Sequence, residues 1–152
     1  EMTSSLVGSE MCIRDSIDVN GWLHTGDLAT MDADGYVTVR GRSKNMLLTS
    51  SGQNIYPEEI ESKLNNMPYV SESLIVLQHD KLVALIYPDF DDAFAHGLQQ
   101  ADIEKAMEAN RNELNLLLPA YSQITKVKIH FEEFEKTAKK SIKRFMYQEA
   151  KG

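Results

Sequence analysis

The chain has 152 residues, 42% of them hydrophobic and 26% charged, with 16 basic against 23 acidic side chains and a formal net charge of -7. That is enough for one compact domain with a core, the composition excludes a disordered chain, and the acidic balance argues against a nucleic-acid-binding face. One cysteine, Cys12, and four scattered histidines give no internal disulfide and no metal-ligand spacing, and the longest apolar run, Leu82 to Tyr87, is far too short to span a bilayer. No signal-peptide pattern opens the sequence, so a cytoplasmic location is expected.

In chain order, residues 1–16 have no periodicity and do not fit the remainder of the chain. They are left unassigned, as a segment of foreign character, and carry no functional argument. Gly21-Trp22-Leu23-His24-Thr25-Gly26-Asp27-Leu28 comes next. Asp32-Ala33-Asp34-Gly35 then reads as a turn, with glycine supplying the positive-φ position. It joins Leu28–Met31 to Tyr36–Arg40 as a predicted hairpin.

Gly41-Arg42-Ser43-Lys44 is a charged turn, and Met46–Leu48 a short strand. Residues Thr49 to Asn54 read as a polar loop. Pro57-Glu58-Glu59 opens a helix, because proline suits the first helical position and acidic residues suit the N-terminal dipole. Ile60, Leu64 and Met67 form its buried stripe. Val70–Leu77 and Leu82–Tyr87 are predicted strands joined by Gln78-His79-Asp80-Lys81. The stretch Asp89–Gly97 is open between short helix and loop. Asp102 is expected to cap a long helix with Ile103, Ala106, Met107, Leu114, Leu117 and Leu118 on its apolar face, stopped by Pro119. Ile124–Phe131 reads as a third strand. Lys136, Lys139, Lys140, Lys143 and Arg144 form a basic run, and Ser141 is expected to N-cap a last helix. The order of elements gives an α+β domain of roughly a hundred residues. Its short mixed or antiparallel sheet is packed by helices, and a β-hairpin belonging to a larger domain precedes it.

Three polar clusters are candidates for chemistry. Thr25-Gly26-Asp27 with Arg42 suits a ribose diol, since a carboxylate accepts hydrogen bonds from adjacent hydroxyls; an ordinary turn aspartate paired to an arginine fits the same residues. Ser50-Ser51-Gly52-Gln53-Asn54 lets a ligand approach the backbone closely, or is a plain loop. The basic run either neutralises a transferring phosphate or is the solvated face of a terminal helix. His24, His79, His96 and His130 sit in unlike contexts and are read as non-functional.

Together and in this order the clusters resemble the AMP-forming acyl- and aryl-CoA synthetases, the adenylate-forming enzymes. GWLHTGDL resembles the segment with the family's ribose-binding aspartate, and DADGYVTVRGRSKN its hairpin and hinge. SGQNIYPEEIE resembles the opening of its small C-terminal domain, and KTAKKSIKR its catalytic-lysine loop. The ending SIKRF is most similar to the long-chain fatty acyl-CoA ligases. The resemblance divides the chain into residues 17–43, the end of the large adenylating domain, and residues 44–152, a mobile C-terminal domain. It implies a fatty acid, Mg2+-bound ATP and coenzyme A as substrates. A carboxylate attacks the α-phosphate to give an acyl-adenylate and pyrophosphate, and the coenzyme A thiol then displaces AMP. Asp27 would bind the ribose, supported by Arg42 and Thr25, and Lys44 would be the hinge. Gly52, Gln53 and Asn54 would line the pantetheine path, and Glu61 would be structural.

The family's phosphate loop, acyl pocket and Mg2+ site belong to a large N-terminal domain that these residues do not include. The implied molecule is therefore a C-terminal fragment, inactive alone, with that domain as its partner and peripheral membrane contact as an open expectation. The pattern Lys-Thr-x-x-x-Lys-x-x-Arg places Ser141 where the adenylating lysine is expected. Either Lys140 takes the role with one residue of slip, which is the preferred reading, or the lysine is lost and the cation cluster compensates. Ala138 stands where this loop often has proline. Alternatives are a binding module that kept the domain without the chemistry, and the adenylation domain of a carrier-protein-linked synthetase.

Overall fold

The structure, a computed structural model, describes residues 17–148. Residues 1–16, with Cys12, and residues 149–152 lie outside the described residues. The chain divides into two compact units between Met46 and Leu47.

The first unit is built on a two-stranded antiparallel sheet of β1 (Asp27–Met31) and β2 (Val37–Arg42). The turn between them is the Asp32–Gly35 turn read from the sequence, with Gly35 at φ +88°. A bulge interrupts the register between Leu28 and Ala29, so that Arg40 is the extra residue on β2. Met31, Tyr36, Val37 and Val39 are all exposed. A two-stranded hairpin that buries so little apolar surface is marginal by itself in water.

The second unit holds the core. β3 (Leu47–Leu48) pairs with β4 (Asn54–Ile55), so the residues read as a plain loop are the tip of a small hairpin. Helix α1 (Pro57–Leu64) starts on its proline and ends before Asn65-Asn66. β5 (Val70–Gln78) and β6 (Lys81–Pro88) form a long antiparallel hairpin, and β7 (Lys126–Ile129) pairs parallel to β6. A parallel neighbour requires a long crossover, supplied here by α2 (Phe90–Ala95) and α3 (Gln100–Leu117).

The sheet is covered on both faces. Ile75, Leu82, Ala84 and Ile86 point to the helices, where they meet Ile60, Leu64, Ile103, Met107 and Leu114. Leu74, Val76, Val83 and Leu85 point the other way and are covered by Phe134, Ile142 and Tyr147. Burial on both faces explains why β5 and β6 read as nearly continuous apolar runs rather than alternating ones.

Three expectations are corrected. Asp102 is not the N-cap of the long helix; the helix begins two residues earlier, and Asp102 in its first turn accepts the Gln99 N–H at 3.1 Å. Leu117, the last residue of the helix, is 64% exposed: the buried stripe is Ile103, Met107, Asn110 and Leu114, and Asn110 donates its side-chain amide to the Pro68 carbonyl at 2.8 Å. Ser141 caps no helix: residues 136–142 form a tight turn closed by a Lys136–Ile142 bridge, followed only by a 3-10 turn over Arg144–Met146. Ile142 faces the sheet and Phe145 faces solvent, a pattern set by docking on the sheet rather than by helical period.

Candidate functional site

In the first unit, the bulge at Arg40 brings Asp27 directly opposite Arg42. Opposed residues of an antiparallel pair project from the same face, so the two side chains meet. Arg42 Nε lies 3.0 Å from Asp27 Oδ1, and Arg42 Nη1 donates to the Thr25 carbonyl at 2.8 Å. The Thr25 hydroxyl accepts the Asp27 N–H at 3.3 Å. Thr25, Asp27 and Arg42 are therefore one constellation. Gly26 between them has φ +75°, a backbone turn that a side chain resists. One guanidinium contact leaves a carboxylate with acceptor capacity for hydroxyl donors. Lys44 is exposed in the turn after β2, two residues before the boundary between the units.

Four turns of the described chain share one build. The amide of the first residue donates to the carbonyl four residues on, for Asp18–Trp22 (2.9 Å), Asp32–Tyr36 (3.0 Å), Thr49–Gln53 (3.1 Å) and Thr137–Ser141 (2.8 Å). In each, the side-chain oxygen of that first residue accepts the amide of the fifth. In each, the fourth residue is left-handed: Gly21 (φ +83°), Gly35 (+88°), Gly52 (+80°) and Lys140 (+59°). The pattern is a three-residue hairpin loop with a left-handed closing residue. Glycine occupies it three times and Lys140 once, at a backbone cost of about 1 kcal/mol.

This repeat gives Gly52 a reason that needs no ligand. Its φ favours glycine, while an added Cβ would meet nothing within 4 Å. Gly52, Gln53 and Asn54 are exposed along that hairpin. Ser50, also at its tip, is tied to the β5–β6 turn. The Asp80 carboxylate accepts the Ser50 N–H at 2.8 Å and the Ser50 hydroxyl through its other oxygen. These bonds, the hydroxyl one foremost, hold the Asp80 pKa below the ordinary aspartate value.

The basic run divides in two. Lys136 pairs with Glu72 at 2.6 Å, and Lys143 with Glu135 at 3.4 Å; the hydrogen bond to Glu72 raises the Lys136 pKa. Arg144 grips Glu61 through its two terminal guanidinium nitrogens, Nη1 donating to Oε1 at 2.7 Å and Nη2 to Oε2. Glu61 Oε1 also accepts the Ile75 N–H of edge strand β5 at 2.7 Å. Burial would lower the Arg144 pKa, but the hydrogen bonds and charge of Glu61 outweigh it and raise it. Lys139 and Lys140 stand exposed at the tip, and among the described residues neither is in an ion pair. The loop is therefore a pair of presented cations on a base pinned by three held ones.

The Glu61–Arg144, Glu72–Lys136 and Ser50–Asp80 links are absent from the sequence reading. Each joins residues 30 or more positions apart. The one available signal was Glu61 itself, an acidic residue beside the apolar stripe of α1. Among the described residues, no group of three or more His, Cys, Asp or Glu side chains is placed to hold a metal ion. No helix among them is long and apolar enough to cross a membrane.

A family model described as the AMP-binding enzyme C-terminal domain matches residues 44–150. The long-chain-fatty-acid–CoA ligase ACSBG1 of Mus musculus is 34% identical over 73 residues, 47% of this chain and 10% of that protein. The fatty acid–acyl-carrier-protein ligase ScoC of Streptomyces coeruleorubidus is 48% identical over 58 residues, 38% of this chain and 11% of that protein. The matched stretch thus spans about a tenth of the length of these relatives. Among solved structures, the anthranilate CoA ligase AuaEII in complex with anthranoyl-AMP superposes with a TM-score of 0.64 at 29% identity, covering 84% of this chain and 23% of that one. The chain belongs to the AMP-binding enzyme C-terminal domain family, the small C-terminal domain of the adenylate-forming enzymes.

Proposed function

We propose that this chain is the C-terminal portion of an AMP-forming long-chain fatty acyl-CoA ligase, working with a large adenylating domain that completes the Asp27–Arg42 hairpin. In the first half-reaction a fatty-acid carboxylate oxygen bonds to the α-phosphorus of ATP, and the bond to pyrophosphate breaks. In the second, the coenzyme A sulfur bonds to the acyl carbon, the bond to AMP breaks, and the thiol proton leaves to solvent. Asp27 accepts the ribose hydroxyls while Arg42 fixes its rotamer. Lys140 brings its ammonium to the charge developing on the phosphate. Mg2+ would travel with ATP, and no described residues make a three-ligand site for it.

One observation carries the reading. The Gly52 hairpin and the Lys140 turn are anchored at opposite ends of the β5–β6 hairpin, one by Asp80 at its turn, the other by Glu72 near its open end. From Glu72 to Gln78 the strand rises about 20 Å. Anchors that far apart suit a domain that presents the two loops in turn to one reacting carboxyl. A domain that turns, with Lys44 as its hinge, brings one and then the other.

The test is Lys140→Gly in the protein that carries this chain with its large domain. Glycine favours the left-handed turn, so lost activity cannot be assigned to an unfolded loop. Adenylate formation, read by pyrophosphate release, should fall by about a hundredfold or more, while thioester formation from preformed adenylate persists. An unchanged first half-reaction would remove Lys140 from the chemistry. The likeness to ScoC favours a second reading, in which the acceptor thiol belongs to an acyl-carrier protein. Offering coenzyme A and a carrier protein to the same adenylate decides between them.

A further inference from the structure

We propose that Asp80 is a positioning residue for the acceptor half-reaction: it holds the Gly52 hairpin in place by engaging Ser50 with both carboxylate oxygens. The role in thioester formation rests on the function proposed above; the tether rests on geometry alone.

Asp80 is the second central residue of the two-residue turn between β5 and β6, and both residues are left-handed, His79 at φ +49° and Asp80 at +60°. For the turn itself, glycine would serve better there. What aspartate adds is its carboxylate, and both oxygens are spent on Ser50, 30 residues away. The two partners differ in rigidity. The β5–β6 hairpin is buried on both faces through Leu74–Val76 and Leu82–Ile86. The Gly52 hairpin has only two register pairs, Leu47–Ile55 and Leu48–Asn54, and of these only Leu47 and Ile55 are buried. So short a ladder opens readily by itself. Asp80 lends it the rigidity of the central sheet, at the loop where the acceptor must approach closely.

The experiment compares Asp80→Gly, Asp80→Asn and Ser50→Ala. Asp80→Gly keeps the left-handed turn and removes only the carboxylate. Asp80→Asn keeps an oxygen for the Ser50 N–H and tolerates the turn. In the protein with its large domain, Asp80→Gly should raise the KM for coenzyme A about tenfold over the parent, with the adenylation rate of the same preparation as the control. Asp80→Asn should recover most of that loss, and Ser50→Ala should fall between. A Gly variant whose coenzyme A KM stays within about twofold of the parent would overturn the positioning role. Amide exchange of Ser50 and Gly52 in the 152-residue chain tests the tether without any turnover. Exchange about tenfold faster in Asp80→Gly supports it, and unchanged exchange overturns it. Should the parent make no adenylate, the proposed function falls while the exchange result still judges the tether.

Discussion

Replacing Arg144 by methionine puts the buried ion pair to a direct test. The Glu61 side chain is 9% exposed and Arg144 16%. Removing the guanidinium strips Glu61 of two charge-assisted bonds and leaves its carboxylate with the Ile75 N–H. A buried carboxylate left without its counter-charge costs about 3 kcal/mol, the lower end for broken buried pairs because Arg144 keeps some solvent contact. With a urea slope of about 2 kcal/mol per molar, the midpoint should fall by about 1.5 M. Far-UV circular dichroism is the assay, since α1, α2 and α3 all lie in the second unit. The double replacement Glu61→Met with Arg144→Met should be less damaging than Arg144→Met alone, because the unpaired charge is gone. Its remaining cost is the unmet Ile75 N–H, about 1–2 kcal/mol. A loss below about 1 kcal/mol in Arg144→Met, or a double variant as unstable as the sum of the singles, would refute the buried-charge reasoning.

Gly52→Asn and Gly52→Leu should separate the turn from the acceptor path. Asparagine tolerates φ +80° and leucine does not. If thioester formation falls in both, a side chain obstructs the path; if only Leu suffers, the turn is the reason for glycine. Asp80 sets a pH dependence. Its folded pKa is depressed by Ser50, so its contribution is present above the ordinary aspartate value of about 3.9 and is lost as pH falls through the lower folded value. Protection of the Ser50 amide should therefore decline only on acidification below about pH 4, and a decline centred near neutrality would point to another group.

Much of this molecule is written locally. Pro57 with two glutamates after it starts a helix wherever the chain goes, and the helix is there. Asp34-Gly35 fixes a hairpin turn because only glycine takes its φ at no cost. The apolar runs of β5 and β6 marked buried strands, and the order of motifs marked the family. Asp27 and Arg42 could be named as partners, but the bulge at Arg40 that sets them face to face could not be read from spacing. The terminal segment departs from its helical pattern for a related reason. Ile142, Phe145 and Met146 carry a helical period, yet the sheet face under Phe134, Ile142 and Tyr147 needed covering, and docking outweighed propensity.

What the sequence by itself determined was the type of most elements, the Asp32–Gly35 turn, the family and the identity of the candidate residues. Each depends on neighbours a few positions away. Only the tertiary structure decided that Glu61 is buried against Arg144, that Lys136 is held while Lys139 and Lys140 are presented, and that Asp80 grips Ser50. These pairs are separated by 83, 64 and 30 positions in the chain. A charge has no period that reveals its partner at such distances; the sheet that brings them together does.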